Sequence, residues 1–230
     1  MAVSRANGQK STPNPIYRPG PPIDGPEALA AALEALRLRD PDRIGMMLAL
    51  AGPPPTRLQP PGLVGLAAII VSQQVSVASA AAILARLRLR FAPLRAQELL
   101  AASDADFRSC GLSMPKMRTF RALAAAILHD GLDLAALGDL AAADAHRALL
   151  AVKGIGPWTA DLFLLSCLGH PDAWPAGDLA LQEAAKLALG LAARPDARAM
   201  EAIGERWRPH RAVAARLLWS YYRAIKSKPE

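Results

Sequence analysis

The chain has 230 residues, of which 52% are hydrophobic and 20% are charged, so it can bury a core and is not an intrinsically disordered chain. Its longest uncharged apolar run, residues 62–71, is about half the length of a membrane span, and the N-terminus has no signal-peptide core; we therefore expect a cytoplasmic protein with no membrane partner. The net charge of +7 favours an anionic partner such as nucleic acid, while Cys110 and Cys167 are too few for an iron–sulfur cluster and are expected to be buried thiols.

The first 22 residues differ in composition from the rest of the chain. Residues 1–22 contain several prolines and few large apolar side chains, which predicts a flexible basic arm. Residues 23–230 are expected to form one all-α domain, because alanine and leucine recur at helical spacing and no β-branched run alternates with polar residues. The predicted helices cover residues 26–37, 41–50, 62–72, 76–90, 95–101, 104–109, 115–129, 132–136, 144–151, 157–168, 178–189, 196–203 and 209–225.

The stretch VKGIGPWTAD, residues 152–161, breaks what could otherwise be one long helix. Gly154 and Gly156 allow a tight reversal and a close approach of the backbone to a ligand, and Pro157 fits the first position of the next helix. The unpaired amides at that helix N-terminus form an anion site, to which Lys153 adds a positive charge. The pattern therefore predicts a helical hairpin that binds a phosphate.

The residues LLAVKGIGPWTAD resemble the helix-hairpin-helix of DNA repair glycosylases, here over 144–168, which grips a DNA phosphodiester. In those enzymes a Gly/Pro-rich loop and an aspartate follow the hairpin. In this chain the loop 169–178 contains WPAGD and ends at Asp178, which lies 22 residues after Gly156. IVSQQVSVASAA, residues 70–81, and residues 205–222 resemble DNA-3-methyladenine glycosylase II proteins. The resemblance implies two helical subdomains flanking an active-site cleft, without the N-terminal β-sheet domain of the bacterial type member.

Asp178 has two interpretations. It precedes a good helix that ends in glycine, so it can be an N-cap. The resemblance implies a catalytic carboxylate, which would stabilise the positive charge that develops on the sugar and orient or deprotonate water. Both roles can hold at once.

By the same resemblance, aromatic side chains form the pocket for the damaged base. Trp158 and Trp219 match aromatic positions of the family's pocket, and Tyr222 is a further candidate for binding the base, although tryptophans on apolar helix faces are often core residues. Trp174, Trp207 and Tyr221 are weaker candidates. Bifunctional glycosylase/lyases carry a Schiff-base lysine at the position of Trp158, so its presence implies a monofunctional enzyme that uses water.

DNA contacts are also implied by the resemblance. Gln74, with Gln73 beside it, is the expected wedge that fills the gap left by a flipped base, although the pair could be an ordinary helix junction with Ser76 as an N-cap. The other DNA-binding candidates are Lys153, Gly154, Gly156, Thr159 and Arg211, of which Arg211 could equally be a surface residue. No cofactor is expected to be required, but family hairpins often hold Na⁺ or K⁺ on backbone carbonyls, here those of Leu150, Val152 and Ile155. His129, His146, His170 and His210 show no metal-site spacing and are expected at the surface or at helix ends.

Three functions remain open on these residues. The first is a monomeric, nucleoid-associated glycosylase that removes 3-methyladenine or 7-methylguanine from double-stranded DNA. The second is a non-enzymatic helix-hairpin-helix module that only binds DNA. The third is a glycosylase of the same fold for mismatched thymine, hypoxanthine or uracil, which pocket residues outside these motifs would decide.

Overall fold

The computed structural model describes residues 20–227, and over these residues the chain forms helices and no strand. Apart from residues 20–22, the arm expected over 1–22 lies outside the described residues. The helices are α1 (Pro26–Arg39), α2 (Pro41–Ala51), α3 (Gly62–Ser72), α4 (Val77–Arg90), α5 (Ala96–Ala101), α6 (Asp104–Ser109), α7 (Met114–His129), α8 (Ala142–Leu150), α9 (Pro157–Cys167), α10 (Leu179–Leu189), α11 (Ala197–Gly204) and α12 (Arg211–Lys226). Short 3₁₀ helices cover Ala136–Asp139 and Glu205–Trp207. The all-α prediction is confirmed.

One predicted helix, over residues 132–136, is wrong. The chain there instead turns through the 3₁₀ helix Ala136–Asp139. The side chain of Asp133 accepts hydrogen bonds from the backbone N–H groups of Ala135 and Ala136, at 2.9 and 3.2 Å. A short acidic side chain that bonds nearby amides in this way competes with helix formation, so the apolar spacing alone was misleading.

The helices pack in two groups. The first and last parts of the chain come together, because α12 packs against α1, α2 and α10. The middle of the chain forms the second group, in which α3 packs against α4, α7 and α9, while α5 packs on α7 and α8 pairs with α9. The loop before α3 and the loop between α9 and α10 join the groups, which is the arrangement of two helical subdomains that the resemblance implied.

Aromatic side chains fill much of the core. Phe107 stacks on Phe120 and contacts Phe91, with ring centroids 6.1 and 5.6 Å apart. Trp174 and Trp207 meet edge to face at 5.8 Å, and both are almost completely buried. Burying a side chain of this size contributes about 1.5–3 kcal/mol. These two tryptophans therefore belong to the core and not to a base pocket.

Two further findings concern the composition. Both cysteines are free and buried, as expected, and burial raises the pKa of the Cys167 thiol to about 12. Within residues 20–227 no helix combines the length and the apolar character needed to cross a bilayer.

Candidate active site

The hairpin between α8 and α9 depends on Gly154. Its φ angle is +94°, in the region that favours glycine, and a Cβ atom at this position would lie 2.0 Å from the Thr119 hydroxyl oxygen on α7. The backbone of the turn is thus pressed against α7, so two independent constraints require glycine here.

Gly156 has a different role in the same turn. It is the N-cap of α9, its φ angle is −95°, and the space beside its Cα is open. The amides of the first turn of α9 have no intrahelical acceptor, and Lys153 is exposed at the tip of the turn. An anion could therefore approach the backbone at Gly156 without meeting a side chain.

Asp178 is held by hydrogen bonds from three directions. Its Oδ1 accepts the backbone N–H of Leu181 at 2.8 Å, which makes it the N-cap of α10. The indole Nε1 of Trp219 donates to the same oxygen at 3.0 Å, and that of Trp158 donates to Oδ2 at 2.9 Å. A carboxylate can accept about four hydrogen bonds, so one acceptor position on Oδ2 is left for a ligand. The N-cap role and a site role are therefore compatible in this structure.

A cavity of about 320 Å³ opens beside this carboxylate, where the two helical groups meet. Its walls come from the loop before α3, from α9 and from α12. Besides Asp178, the cavity is lined by Pro55, Arg57, Leu162, Ser166, Arg216, Trp219 and Arg223. A half-buried carboxylate, an indole and several guanidinium groups therefore share one concave site, which is typical of a ligand pocket.

The sequence analysis missed the arginines of this cavity. Arg216, Trp219 and Arg223 follow one another at intervals of three and four residues, so they share a face of α12. Their spacing of three and four residues from Trp219 could have indicated that Arg216 and Arg223 lie on the same side of the helix as this candidate site residue. Arg57 comes from an irregular loop, with a φ angle of +46°, and no periodicity could have indicated it.

In the segment after α3, Gln73 is held by hydrogen bonds and the next residue, Gln74, is exposed. Lys116 of α7 donates from Nζ to the carbonyl oxygens of Val71 and Gln73, both at 2.8 Å. The side-chain amide of Gln73 donates to the hydroxyl of Thr159 on α9 at 2.6 Å. Gln74 is exposed and has a φ angle of +56°. Of the two glutamines, Gln74 is the one whose side chain could enter a duplex.

Comparison with known proteins agrees with this arrangement. A profile of the HhH-GPD superfamily of base excision DNA repair proteins matches residues 67–209. The chain belongs to this superfamily. The matched region begins in α3 and ends just before α12, so it contains the hairpin and Asp178.

Individual known proteins resemble the chain over different lengths. A Mycobacterium tuberculosis protein named "Probable bifunctional transcriptional activator/DNA repair enzyme AlkA" is 44% identical over 111 residues, which are 47% of this chain and 21% of that protein. The chain thus spans about a fifth of that relative. The crystal structure of a DNA-3-methyladenine glycosidase from Bacillus halodurans has a TM-score of 0.75 and 28% identity, covering 90% of this chain and 94% of the other. A Schizosaccharomyces pombe 3-methyladenine DNA glycosylase, solved with abasic DNA, shares the fold at 24% identity and a TM-score of 0.67, covering 82% of this chain and 95% of the other.

Three residues expected to contact DNA or the base are used differently within this HhH-GPD fold. The phosphate contact expected of Arg211 is contradicted by its burial, because the residue is 5% exposed and its guanidinium donates to the Asp172 carboxylate at 2.8 and 3.0 Å. The side chain of Thr159 is buried and bonded to Gln73, so only its backbone amide remains for DNA. The ring of Tyr222 lies outside the walls of the cavity, with Lys226 Nζ 4.7 Å from its centroid.

The histidine expectation also fails at one position. His170 is 1% exposed, and its Nε2 lies 3.0 Å from the carbonyl oxygen of Leu140. Its Nδ1 accepts the backbone N–H of Asp172 at 3.1 Å, which fixes the neutral tautomer with the proton on Nε2. Burial lowers the pKa of His170 accordingly. This side chain is part of the loop that leads to Asp178, and not a surface residue.

Proposed function

We propose that this chain is a monofunctional DNA glycosylase that removes alkylated purines, such as 3-methyladenine and 7-methylguanine, from duplex DNA by base flipping and hydrolysis. The single observation that carries the proposal is the carboxylate of Asp178, fixed by the indole N–H groups of Trp158 and Trp219 at the edge of a cavity. The names of the similar proteins from Bacillus halodurans and Schizosaccharomyces pombe support the same reaction class.

The chemistry follows from what a fixed carboxylate can do. Breaking the bond between base and sugar builds positive charge on the deoxyribose ring, and a carboxylate held beside C1′ stabilises that charge. Because three donors fix the orientation of Asp178, little reorganisation is needed when the charge develops. The open acceptor position on Oδ2 suits a water molecule, whose proton the carboxylate would accept as the oxygen bonds to C1′.

The use of water, and not of an amine, is supported by Trp158. In the related glycosylase/lyases a lysine at this position forms a Schiff base, whereas here an indole holds the carboxylate. The nearest lysine in sequence, Lys153, is exposed at the hairpin tip, and no lysine lines the cavity among the described residues. The product would be an abasic site in an unbroken strand.

DNA would be held at two places. We propose that a phosphate binds the amides at Gly156 and the charge of Lys153, and that Gln74 fills the space of the flipped base. The hairpin carbonyls of Leu150, Val152 and Ile155 could hold Na⁺ or K⁺, which would bridge the backbone to the phosphate. The Val152 carbonyl accepts the Ile155 N–H at 3.0 Å and keeps a second lone pair, so it fits that role. The expected monomeric state and nucleoid association stay predictions.

The decisive experiment is to identify, by mass spectrometry, the bases released from methylated duplex DNA. Asp178→Asn is the matched control, because asparagine is also a good N-cap and should preserve α10. We expect the wild type to release 3-methyladenine and 7-methylguanine, and Asp178→Asn to bind DNA but release almost nothing. Equal behaviour of the two proteins would favour the DNA-binding module, and strand cleavage without added base would refute the water mechanism.

A further inference from the structure

The cavity beside Asp178 carries more positive charge than a pocket for a cationic base needs. Three guanidinium groups, those of Arg57, Arg216 and Arg223, line it together with one carboxylate. Arg57 and Arg223 are close enough to interact, since burial and then the charge of Arg57 lower the pKa of Arg223. Both of these side chains are exposed, so they lie at the rim, where a DNA phosphate would pass.

Arg216 differs from the two rim arginines because it is only 5% exposed. Its Nη2 donates to the carbonyl oxygen of Leu165 at 2.8 Å, while its Nε is buried without a hydrogen-bond partner. Within residues 20–227 no carboxylate lies within ion-pair distance of Arg216. The buried carboxylate of Asp172, for example, pairs with Arg211 instead. Burial accordingly lowers the pKa of Arg216 to about 10.

A buried guanidinium with a free donor and no counter-ion is costly, and such groups are concentrated at sites that bind a ligand. Arg216 lies one helical turn before Trp219, whose indole donates to Asp178. A base stacked on Trp219 would therefore have its edge near the guanidinium. Arginine presents several N–H donors and no acceptor, so it can bind only acceptor atoms of that edge.

We propose that Arg216 is a specificity-determining residue, which binds acceptor atoms on the edge of the flipped base and shifts the preference of the site from cationic alkylpurines towards neutral 6-oxopurines such as hypoxanthine. The inference rests on the proposed glycosylase function and extends it from alkylated purines to a neutral base. The O6 and N7 atoms of a 6-oxopurine are two acceptors on one edge, which match the forked donors of arginine.

The same contact would assist departure of a neutral base. A cationic 3-methyladenine leaves as a neutral molecule, but a neutral base leaves with the electron pair of the broken C1′–N9 bond and becomes negatively charged. An N–H of Arg216 would stabilise that charge until the base takes a proton from solvent. Water adds to C1′ and gives its proton to Asp178, which later returns it to solvent. 7-Methylguanine keeps O6, but its N7 is methylated and it leaves as a neutral base, so it cannot take the forked contact, develops no negative charge for this donor to stabilise and is repelled by the guanidinium while it is still cationic.

The test measures single-turnover excision of hypoxanthine and of 7-methylguanine from otherwise identical duplexes, with the wild type, Arg216→Met and Arg216→Lys. Methionine fills a similar volume without charge, and such replacements of buried charges are often tolerated. We expect Arg216→Met to lower hypoxanthine excision about 10- to 100-fold, as for loss of a hydrogen bond from a charged donor, and 7-methylguanine excision by much less. Arg216→Lys should recover only part of the hypoxanthine activity, because an ammonium lacks the planar fork.

The control is Arg57→Gln, at the rim of the same cavity. Arg57→Gln should reduce the excision of both bases by the same factor. That factor should become smaller as the salt concentration is raised, since phosphate contacts are salt-dependent. Equal loss of both activities in a folded Arg216→Met protein, or a loss that follows the salt dependence of Arg57→Gln, would overturn the role of Arg216 and leave the glycosylase function standing. A wild type that releases neither base would refute both.

Discussion

The indole N–H of Trp158 donates to Oδ2 of Asp178 at 2.9 Å, although 20 residues separate them in the chain. Trp158 occupies the second position of α9, and Asp178 caps α10 after the buried loop that follows α9. The hairpin that would bind the DNA backbone and the carboxylate that would act on the sugar are thus joined by one direct hydrogen bond. A shift of the hairpin on DNA would be transmitted to the carboxylate.

This bond predicts a separable effect of Trp158→Phe. The substitution keeps an aromatic ring and removes the donor, so the carboxylate retains the bonds from Leu181 and Trp219 but becomes less well oriented. We expect the single-turnover excision rate to fall about tenfold, in line with one lost hydrogen bond, while the affinity for undamaged duplex stays near that of the wild type. A parallel loss of DNA affinity would mean that Trp158 acts through the hairpin and not through Asp178.

Gly154 and Gly156 provide a second, contrasting pair of substitutions. Gly154→Ala forces a Cβ to within 2.0 Å of the Thr119 hydroxyl oxygen at a φ of +94°, so we expect the free energy of unfolding to fall by about 1–3 kcal/mol. Gly156→Ala meets open space at an ordinary φ and should cost less than about 1 kcal/mol. Its methyl group would instead obstruct a phosphate at the hairpin.

Urea unfolding and DNA-binding titrations on the two variants distinguish these effects. Gly156→Ala should be nearly as stable as the wild type and bind duplex DNA more weakly, whereas Gly154→Ala should lose stability first. If Gly156→Ala bound DNA normally, the hairpin would not be the phosphate site.

The helices were predictable because their determinants are local. For example, the spacing of apolar residues placed α3 at its observed bounds, and the same spacing with Pro157 at the first position placed α9 within one residue. Asp178 and the two tryptophans were found through the resemblance of their motifs. The use of Arg211 and Thr159 inside the protein was not predictable, because their partners, Asp172 and Gln73, come from 39 and 86 residues away. The spacing of residues along a sequence indicates which side chains share a face of a helix, but it does not indicate which residues pack against that face.

The buried ion pair of Arg211 and Asp172 predicts a loss of stability and not of DNA binding. Asp172 is fully buried, and its carboxylate accepts two bonds from this guanidinium and a further one from Arg208. Removing a partner leaves a buried charge undercompensated, so Arg211→Met should lower the free energy of unfolding by about 3 kcal/mol. The matched control is Lys153→Gln, which should leave stability unchanged and weaken DNA binding in a salt-dependent way. If Arg211→Met were as stable as the wild type but bound DNA more weakly, Arg211 would contact a DNA phosphate after all.

His170 predicts how stability depends on pH. Its folded-state pKa is lowered by burial, and its Nδ1 already accepts the Asp172 N–H, so protonation would break that bond. The unfolded chain binds a proton at this residue as the pH falls through about 6.5, whereas the folded chain binds it only at a lower pH. The contribution of His170 is therefore fully present above that pH and is lost as the pH falls below it.

Two other histidines have shifted pKa values and also affect this dependence. Burial also lowers the pKa of His210, which adds to the loss, while the hydrogen bond that His146 donates to the Asp161 carboxylate raises the pKa of His146, which opposes it. Urea unfolding at pH 7.5 and pH 5.5 should show a decrease for the wild type and a smaller decrease for His170→Asn, whose side-chain oxygen can still accept the Asp172 N–H. The variant His129→Asn, at an exposed position, should behave as the wild type. If the free energy of unfolding decreased equally in all three proteins, protonation of His170 would not be the cause of the pH dependence.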